Sequence, residues 1–496
     1  MRISNRLRYV RSLAIAQKEE MWMSVDNRKT TFALFFGTRN GFPGALMASA
    51  RDEMSRTLTQ LGHEVLMLDE NATAHGGVCS LAEGRIYADW LKSNEGKFDG
   101  VILCLPNFGD ENGAVAALKH ANVPILVQAY PDEMDKMSPA LRRDAFCGKL
   151  SVMDVFRQNG VKFTALKPHT VSPLSKTFAD NVDYFDRICR VVKGVKEMHV
   201  GAFGARTTDF KTVRIDELAL QSHGITMETF DLSSIFAQTE KVSESESAFK
   251  AKAERLTNYT DFSRMPKDRF AKLVQLAVVI DNYINDYKLD AVALRCWIEM
   301  QSVLGVSVCV LLSELNDRMI TASCELDVAN AITMYAGSLA SGQVSACLDW
   351  NNNYYDDENK CILFHCGPVP QTMMTSKGCV TEHGILGNVE PPERTFGCNV
   401  GRIKPGQFTF SSMMTEKGNL KFYMGEGGFT SDPIAEDFFG CAGVAEIPNL
   451  QDVLLHIAKE GHRHHVSVTP GTFAGPFGEA LSHYLGYEVH YPQGRI

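Results

Sequence analysis

Thr31-Phe-Ala-Leu-Phe-Phe-Gly37 is an apolar run of strand length, and the alternation that begins with it decides the fold. A helical stretch from Ala45 to Leu61 comes next, Gly62 ends it, and His63 to Leu68 reads as a second strand. The alternation continues through a helix at Ala82 to Ser93, the strand Val101 to Leu105, a further helix and the strand Val123 to Gln128. Strands separated by helices of this length imply parallel pairing with right-handed crossovers. The pattern predicts a doubly wound α/β domain over 28–170.

A second α/β domain is expected over 171–343. Its strands are Met198 to Phe203, Ile225 to Phe230, Asp290 to Arg295 and Met319 to Cys324. Its helices are Val213 to Ser222, a polar helical region from about Gln238 to Asp286, 302–313 and Leu326 to Ser341. The character changes after Val344. Short strands follow at Val344 to Leu348, Cys361 to Phe364, Gly401 to Ile403, Gln407 to Met413 and Leu420 to Met424. Pro405-Gly406, Lys417-Gly418 and Gly425-Glu-Gly-Gly428 read as turns between them, and a helix–strand pair ends the chain. The expected fold class is therefore α/β, with two tandem doubly wound domains followed by a β-rich, barrel-like C-terminal domain over 344–496.

Composition narrows the function classes. The chain of 496 residues is 45% hydrophobic and 22% charged, which excludes a largely disordered protein. A net charge of −9 lacks the basic footprint of a nucleic-acid or anionic-membrane binder. No apolar run approaches the ~18 residues of a membrane span. The 13 cysteines show no C-x-x-C spacing, so neither a disulfide framework nor a cysteine-built zinc site is expected, and reduced thiols in a cytoplasmic protein are. Residues 1–27, where Arg2, Arg6, Arg8 and Arg11 precede the first acid, read as an N-terminal extension.

Two acids stand where strands run out. Glu325, in Ile320-Thr-Ala-Ser-Cys-Glu-Leu-Asp327, follows one strand, and Asp349, in Val344-Ser-Ala-Cys-Leu-Asp-Trp350, follows the next. With one helix between two parallel strands, both carboxylates are expected at the carboxyl edge of one sheet, where such folds bind ligands. Taken singly, Glu325 also suits a helix N-terminus and Asp349 a turn. Together they repel unless a cation or a shared proton compensates. His365, in Leu363-Phe-His-Cys-Gly-Pro368, and His464-His465, at the start of another strand, supply imidazoles, and only one of the adjacent pair can face a given site. Two carboxylates with imidazole nitrogens suit Mn²⁺, with Mg²⁺ or Co²⁺ as alternatives, better than zinc.

These residues resemble L-fucose isomerase and its relative L-arabinose isomerase: an acid in Cys324-Glu-Leu-Asp327, a second at Asp349 and a late His-His before a short apolar strand. The resemblance spans nearly the whole chain after residue 30. It implies a metal-dependent aldose–ketose isomerase in which Glu325, Asp349 and His465 bind Mn²⁺ and the two carboxylates move protons. His365 occupies a place similar to an additional metal-binding His of the arabinose enzymes. Arg39, in Gly37-Thr-Arg-Asn-Gly41, matches an arginine that contacts substrate across a subunit boundary, and Phe108 an aromatic that stacks on the sugar. The resemblance further implies a homo-oligomer, hexameric or trimeric, acting on a small-molecule sugar with no nucleic-acid or membrane partner. Fucose, arabinose-type pentoses and sulfonated hexoses are all substrates within the superfamily. A Gln that precedes the segment matching Arg295-Cys-Trp297 in the fucose enzymes has no counterpart here, and the C-terminal domain is shorter than in the bacterial fucose enzymes. The other reading of two tandem α/β lobes is a non-catalytic sugar-binding or sensor protein.

Overall fold

The computed structural model describes residues 29–494, so the expected N-terminal extension lies outside the described residues. The chain forms two compact units, one of residues 29–194 with Pro476–Gly486 and one of residues 195–475 with 487–494.

In the first unit, β1 (Thr31–Phe36), β2 (Glu64–Met67), β3 (Gly100–Leu105) and β4 (Ile125–Ala129) make a wholly parallel sheet in the order β2-β1-β3-β4. β3 is buried along its whole length, as a strand covered by helices on both faces must be. The helices Leu81–Ser93 and Glu111–Leu118 start where Ser80 and Asp110 accept hydrogen bonds from the amides of Glu83 and Gly113. The late segment Pro476–Gly486 returns to this unit. There the Tyr484 hydroxyl donates to the Ile125 carbonyl at 3.2 Å, and Thr164 donates to Glu479 at 2.6 Å.

The second unit opens with β5 (His199–Phe203), β6 (Thr226–Phe230), β7 (Ala291–Leu294) and β8 (Thr321–Ser323), again all parallel and in the same relative order, β6-β5-β7-β8. The polar region before β7 is three helices, Leu232–Thr239, Ser247–Tyr259 and Lys267–Tyr287. The single helix expected over 302–313 is instead a π-turn, Met300–Leu304, and a separate helix, Cys309–Asp317. Gly305, at φ +70°, divides them in a conformation that L side chains rarely adopt.

The rest of this unit is β-rich: β9 (Ala346–Asn353), β10 (Lys360–His365), β11 (Cys379–Thr381), β12 (Cys398–Arg402), β13 (Gly406–Glu416), β14 (Asn419–Phe429), β15 (Cys441–Glu446), β16 (His465–Pro470) and β17 (Glu488–His490). Because β15 pairs with both β10 and β14, the strands β15-β10-β9-β16-β13-β14 close into a six-stranded antiparallel barrel. Leu348, Phe408, Phe410, Tyr423 and Val466 are among the side chains of its buried core. The architecture is thus the expected one, two parallel-sheet α/β domains and a C-terminal barrel.

Three local readings change. Gly425-Glu-Gly-Gly428 is no turn but the end of β14, since a Cβ on Gly425 would stand 2.5 Å from the Phe410 ring and one on Gly427 3.1 Å from that of Phe408. The closing strand β15 escapes the alternation pattern because Cys441-Ala-Gly-Val-Ala is small-residue sequence with weak strand preference. Finally, β8 and β9 do not share a sheet. β8 ends the parallel sheet, whereas β9 pairs antiparallel with β10 and β16 in the barrel.

Candidate active site

Glu325 follows β8, where Glu325 and Leu326 both take left-handed backbone conformations, φ +60° and +61°. Neither is glycine, so each costs on the order of 1–2 kcal/mol, which the surrounding packing has to hold. The turn sends the Glu325 side chain toward the barrel. Asp349 lies inside β9 rather than past its end, directly opposite His465, the first residue of β16. His365, the last residue of β10, completes the group, its ring 5.7 Å from that of His465. The two carboxylates therefore approach His465 from two different sheets, the parallel one and the barrel.

Side-chain geometry is consistent with a cation site. His465 Nε2 lies 2.9 Å from Glu325 Oε2 and 3.3 Å from Asp349 Oδ1. All three atoms are buried, and none has a hydrogen-bond partner of acceptable geometry among the described residues. His465 is wholly buried, while His464 is 43% exposed, with its Nε2 3.8 Å from Asp349 Oδ1. The adjacent histidines thus divide as strand alternation demands.

Asp327, quoted in the sequence motif without a role, orients His465. Its Oδ2 accepts from His465 Nδ1 at 2.8 Å and from Asn330 Nδ2 at 2.7 Å, while its Oδ1 pairs with buried Arg463. Burial would raise the Asp327 pKa, but Arg463, His465 and Asn330 hold the carboxyl far below the usual range. With its Nδ1 proton committed to Asp327, neutral His465 presents a bare lone pair to two carboxylate oxygens. Two carboxylate oxygens about 3 Å from that lone pair need a positive charge among the three atoms. A second proton on the ring is one way to supply it. Burial pulls the His465 pKa down, yet Cys347, Asp327 and Glu325 push it well above its ordinary value. A divalent cation meets the same need, because neighbouring ligands ~2.1 Å from an octahedral ion stand about 3 Å apart. Burial raises the Glu325 pKa, and His465, His365 and His464 outweigh it, leaving the carboxyl lowered and ionised.

His365 is built differently. Its Nδ1 accepts the Cys366 amide at 2.8 Å, and its Nε2 is buried without a partner. In the neutral ring the proton then sits on Nε2, so His365 offers the site a donor rather than a lone pair.

Aromatic residues complete the surroundings. Trp297 Nε1 donates to Glu325 Oε1 at 3.3 Å, the Phe210 ring meets Trp297 edge-on at 4.9 Å, and Phe210 also lies 5.9 Å from the His464 ring. Arg295 grips Glu299 with two hydrogen bonds and donates to the carbonyls of Ala205 and Arg206, tying down the loop before Phe210. No spacing in the sequence points to Phe210, Trp297 or Arg463.

Arg39 and Phe108 form a constellation of their own in the first unit. The Arg39 guanidinium lies 4.3 Å over the Phe108 ring and pairs with Glu111, and Phe42 stacks on Phe108 at 5.7 Å. Gly148 lets the helix Ala145–Gln158 press against the Phe108 backbone, where any Cβ would overlap the Phe108 carbonyl.

Comparison with known proteins agrees with this architecture. Residues 33–196 match the family described as fucose/sulfoquinovose isomerase, N-terminal domain, and residues 363–492 match L-fucose isomerase, C-terminal domain. Arg39 and Phe108 fall in the first match and His365 and His465 in the second, while Glu325 and Asp349 lie between them. A sulfoquinovose isomerase of Priestia aryabhattai is 23% identical over 411 residues, covering 82% of this chain and 87% of that protein. Proteins of the same name from Alkalicoccus urumqiensis and Clostridium sp. (strain MSTE9) are 24% and 25% identical over 54% and 48% of this chain, and 59% and 55% of their own lengths.

Proposed function

Because this chain belongs to the L-fucose isomerase-like superfamily, we propose that it interconverts an aldose and its ketose at the Glu325–Asp349–His465 site with the help of a divalent cation. The observation that carries this reading is the meeting of three buried, unpartnered acceptor atoms at 2.9 and 3.3 Å. The set holds two oxygens, one nitrogen and no sulfur, which favours Mn²⁺, then Mg²⁺ or Co²⁺. Glu325, Asp349 and His465 would hold the cation, which would supply Lewis-acid polarisation of the sugar carbonyl and so make the C–H bond on the neighbouring carbon more acidic.

The remaining work belongs to the protein. One of the carboxylates of Glu325 and Asp349 removes the proton from one sugar carbon and returns it to the neighbouring one, while the hydroxyl proton passes from one of the two sugar oxygens to the other. Trp297 holds Glu325 Oε1, which keeps Oε2 directed into the site. Asp327 keeps the His465 lone pair there. The His365 Nε2 proton is aimed at a sugar oxygen on which negative charge develops, and we assign His365 to the substrate rather than to the cation. Arg39 and Phe108 are assigned to sugar binding, one as cation and hydrogen-bond donor and the other as a stacking face. A homo-oligomer goes with that assignment, and light scattering reads it directly.

A sulfonated hexose is the first substrate to test, because the Priestia, Alkalicoccus and Clostridium relatives are named for one. Fucose- and arabinose-type sugars come second. The test is a panel of aldoses and ketoses incubated in D₂O with the Mn²⁺-loaded protein and followed by NMR for interconversion and for deuterium at the transferred carbon. No interconversion with Mn²⁺, Mg²⁺ or Co²⁺, across all sugars, would remove the proposal.

A further inference from the structure

Two buried thiols of the second unit stand in close contact beside the candidate active site. Cys309 starts the helix Cys309–Asp317, and Cys366 follows β10. Their Sγ atoms are 3.3 Å apart, shorter than an ordinary carbon–carbon contact of ~3.5–4.0 Å, although sulfur is the larger atom. Gly367 lets the two stretches of chain come together. A Cβ there would stand 3.2 Å from Cys309 Cβ and 2.7 Å from the Asn399 amide nitrogen, so a side chain would hold them apart. Cys398 Sγ is farther from Cys309 Sγ, at 3.7 Å.

A buried thiol is ordinarily a small apolar filler, which suffices for Cys104, Cys189 and Cys361. Cys309 and Cys366 differ in facing sulfur to sulfur, and in what Cys366 holds. His365 Nδ1 accepts the Cys366 amide at 2.8 Å, and Cys366 Sγ lies 3.2 Å from the same nitrogen. The position of Cys366 therefore sets the direction of the His365 ring. Hydrogen bonds from Cys324, Cys366 and Cys398 hold the Cys309 thiol well below its ordinary range against the effect of burial. Cys309 is thus the sulfur of the pair that supports a negative charge, and the thiolate is the nucleophilic form.

We propose that Cys309 and Cys366 are an oxidative modification site, closed to a disulfide by a small peroxide, and that closure draws His365 away from the substrate. The effect on His365 rests on the isomerase reading above, whereas the disulfide does not. The Cys309 thiolate attacks one peroxide oxygen, the O–O bond breaks, and the hydroxide released takes up the proton that the thiol gave up. Cys366 Sγ then displaces the hydroxyl from the Cys309 sulfenic acid, and its own proton leaves with that hydroxyl as water. Two thiols lose two electrons, and one peroxide becomes two waters. The sulfurs have only to close to an S–S bond of about 2.05 Å. Cys366 is 6% exposed and Cys309 1%, which confines the reaction to oxidants little larger than water. Closure pulls on Cys366, and the amide that His365 Nδ1 accepts moves with it.

The test uses the full chain, stripped with chelator, reduced with a phosphine and treated with hydrogen peroxide, which catalase then removes. Maleimide labelling in denaturant counts the remaining thiols by intact mass. Cys147→Ser serves as the parent, because Cys147 is an exposed thiol that peroxide reaches independently. The expected result is two adducts fewer than in the reduced protein, restored by phosphine. Fragmentation should show tryptic peptides 296–318 and 361–377 linked through Cys309 and Cys366. Cys309→Ser should abolish the loss of adducts, and Cys366→Ser serves if circular dichroism shows Cys309→Ser unfolded. With Mn²⁺ and a sugar that the reduced protein interconverts, turnover should fall at least tenfold as the link forms and return with phosphine. Absence of the link, a link to another cysteine, or a loss of adducts undiminished in a folded variant overturns the proposal, and so does full turnover in the linked protein. Absence of turnover in the reduced protein removes the isomerase reading instead, and the mass result still decides the disulfide.

Discussion

Asp327 Oδ2 accepts a 2.8 Å hydrogen bond from His465 Nδ1, and this contact decides which ring nitrogen faces Glu325 and Asp349. The same carboxylate pairs with Arg463, so one buried acid orients the imidazole and neutralises a buried guanidinium.

Asp327→Asn keeps the shape and removes the charge. The expected outcome is a 10–100-fold weaker affinity for Mn²⁺, the usual effect of losing a partner behind a metal-binding His. Isothermal titration on a folded variant reads it. Unchanged affinity would mean that Asp327 serves Arg463 alone.

Glu325→Gln and Asp349→Asn should each lower turnover by about 10²–10⁴ or more, since each removes a carboxylate able to act as the base. Far-UV circular dichroism should stay unchanged. Isomerase activity retained in both variants would end the assignment.

His365→Asn tests the assignment of that ring to the substrate. Asn can still accept the Cys366 amide but lacks the Nε2 proton. Turnover should fall by about 10²–10³, the scale for losing one donor to a developing oxyanion, with Mn²⁺ affinity within a few-fold of the parent. A parallel loss of Mn²⁺ affinity would return His365 to the ligand set.

Chelation should abolish turnover, and Mn²⁺ should restore it more effectively than Mg²⁺. Because the ion binds only the folded site, Mn²⁺ at 100 times its Kd should add about 2.7 kcal/mol of stability. Thermal unfolding with and without Mn²⁺ measures this, and Glu325→Gln should lose most of the shift.

Away from the site, Asp281 lies 2.6 Å from Lys252 and 2.8 Å from Arg318. Burial raises its pKa, but these two cations reverse that and leave the carboxyl below its ordinary value. A depressed folded pKa stabilises above the unfolded value of about 3.9 and is lost as pH falls through the folded one. Asp281→Asn should therefore cost about 2–3 kcal/mol at pH 7, less than a fully buried pair. Urea unfolding should show the gap narrowing below about pH 4, and a gap independent of pH would contradict the assignment.

The alternation of apolar runs with helical stretches was enough to read both parallel sheets, because strand and helix periods are written in neighbouring residues. The acids Glu325 and Asp349 stood out for the same reason, each where an apolar strand gives way. Both acids lie beside His465, and the route that brings them there was not legible. The sequence places both at one sheet edge, whereas Asp349 comes from the barrel, since pairing of β9 with β16 is a long-range choice that no local pattern records.

By itself, then, the order of residues determined the α/β–α/β–barrel succession and the acid and imidazole types available for chemistry. Tertiary packing alone decided that His465 rather than His464 turns inward, that Asp327 grips it across 138 residues, and that cysteines without any motif spacing gather beneath Glu325 and His365. Periodicity tells which face of a strand or helix a side chain takes. Which distant side chain it meets there depends on strand register and on the left-handed turn at Glu325–Leu326, and these form only when the whole core closes.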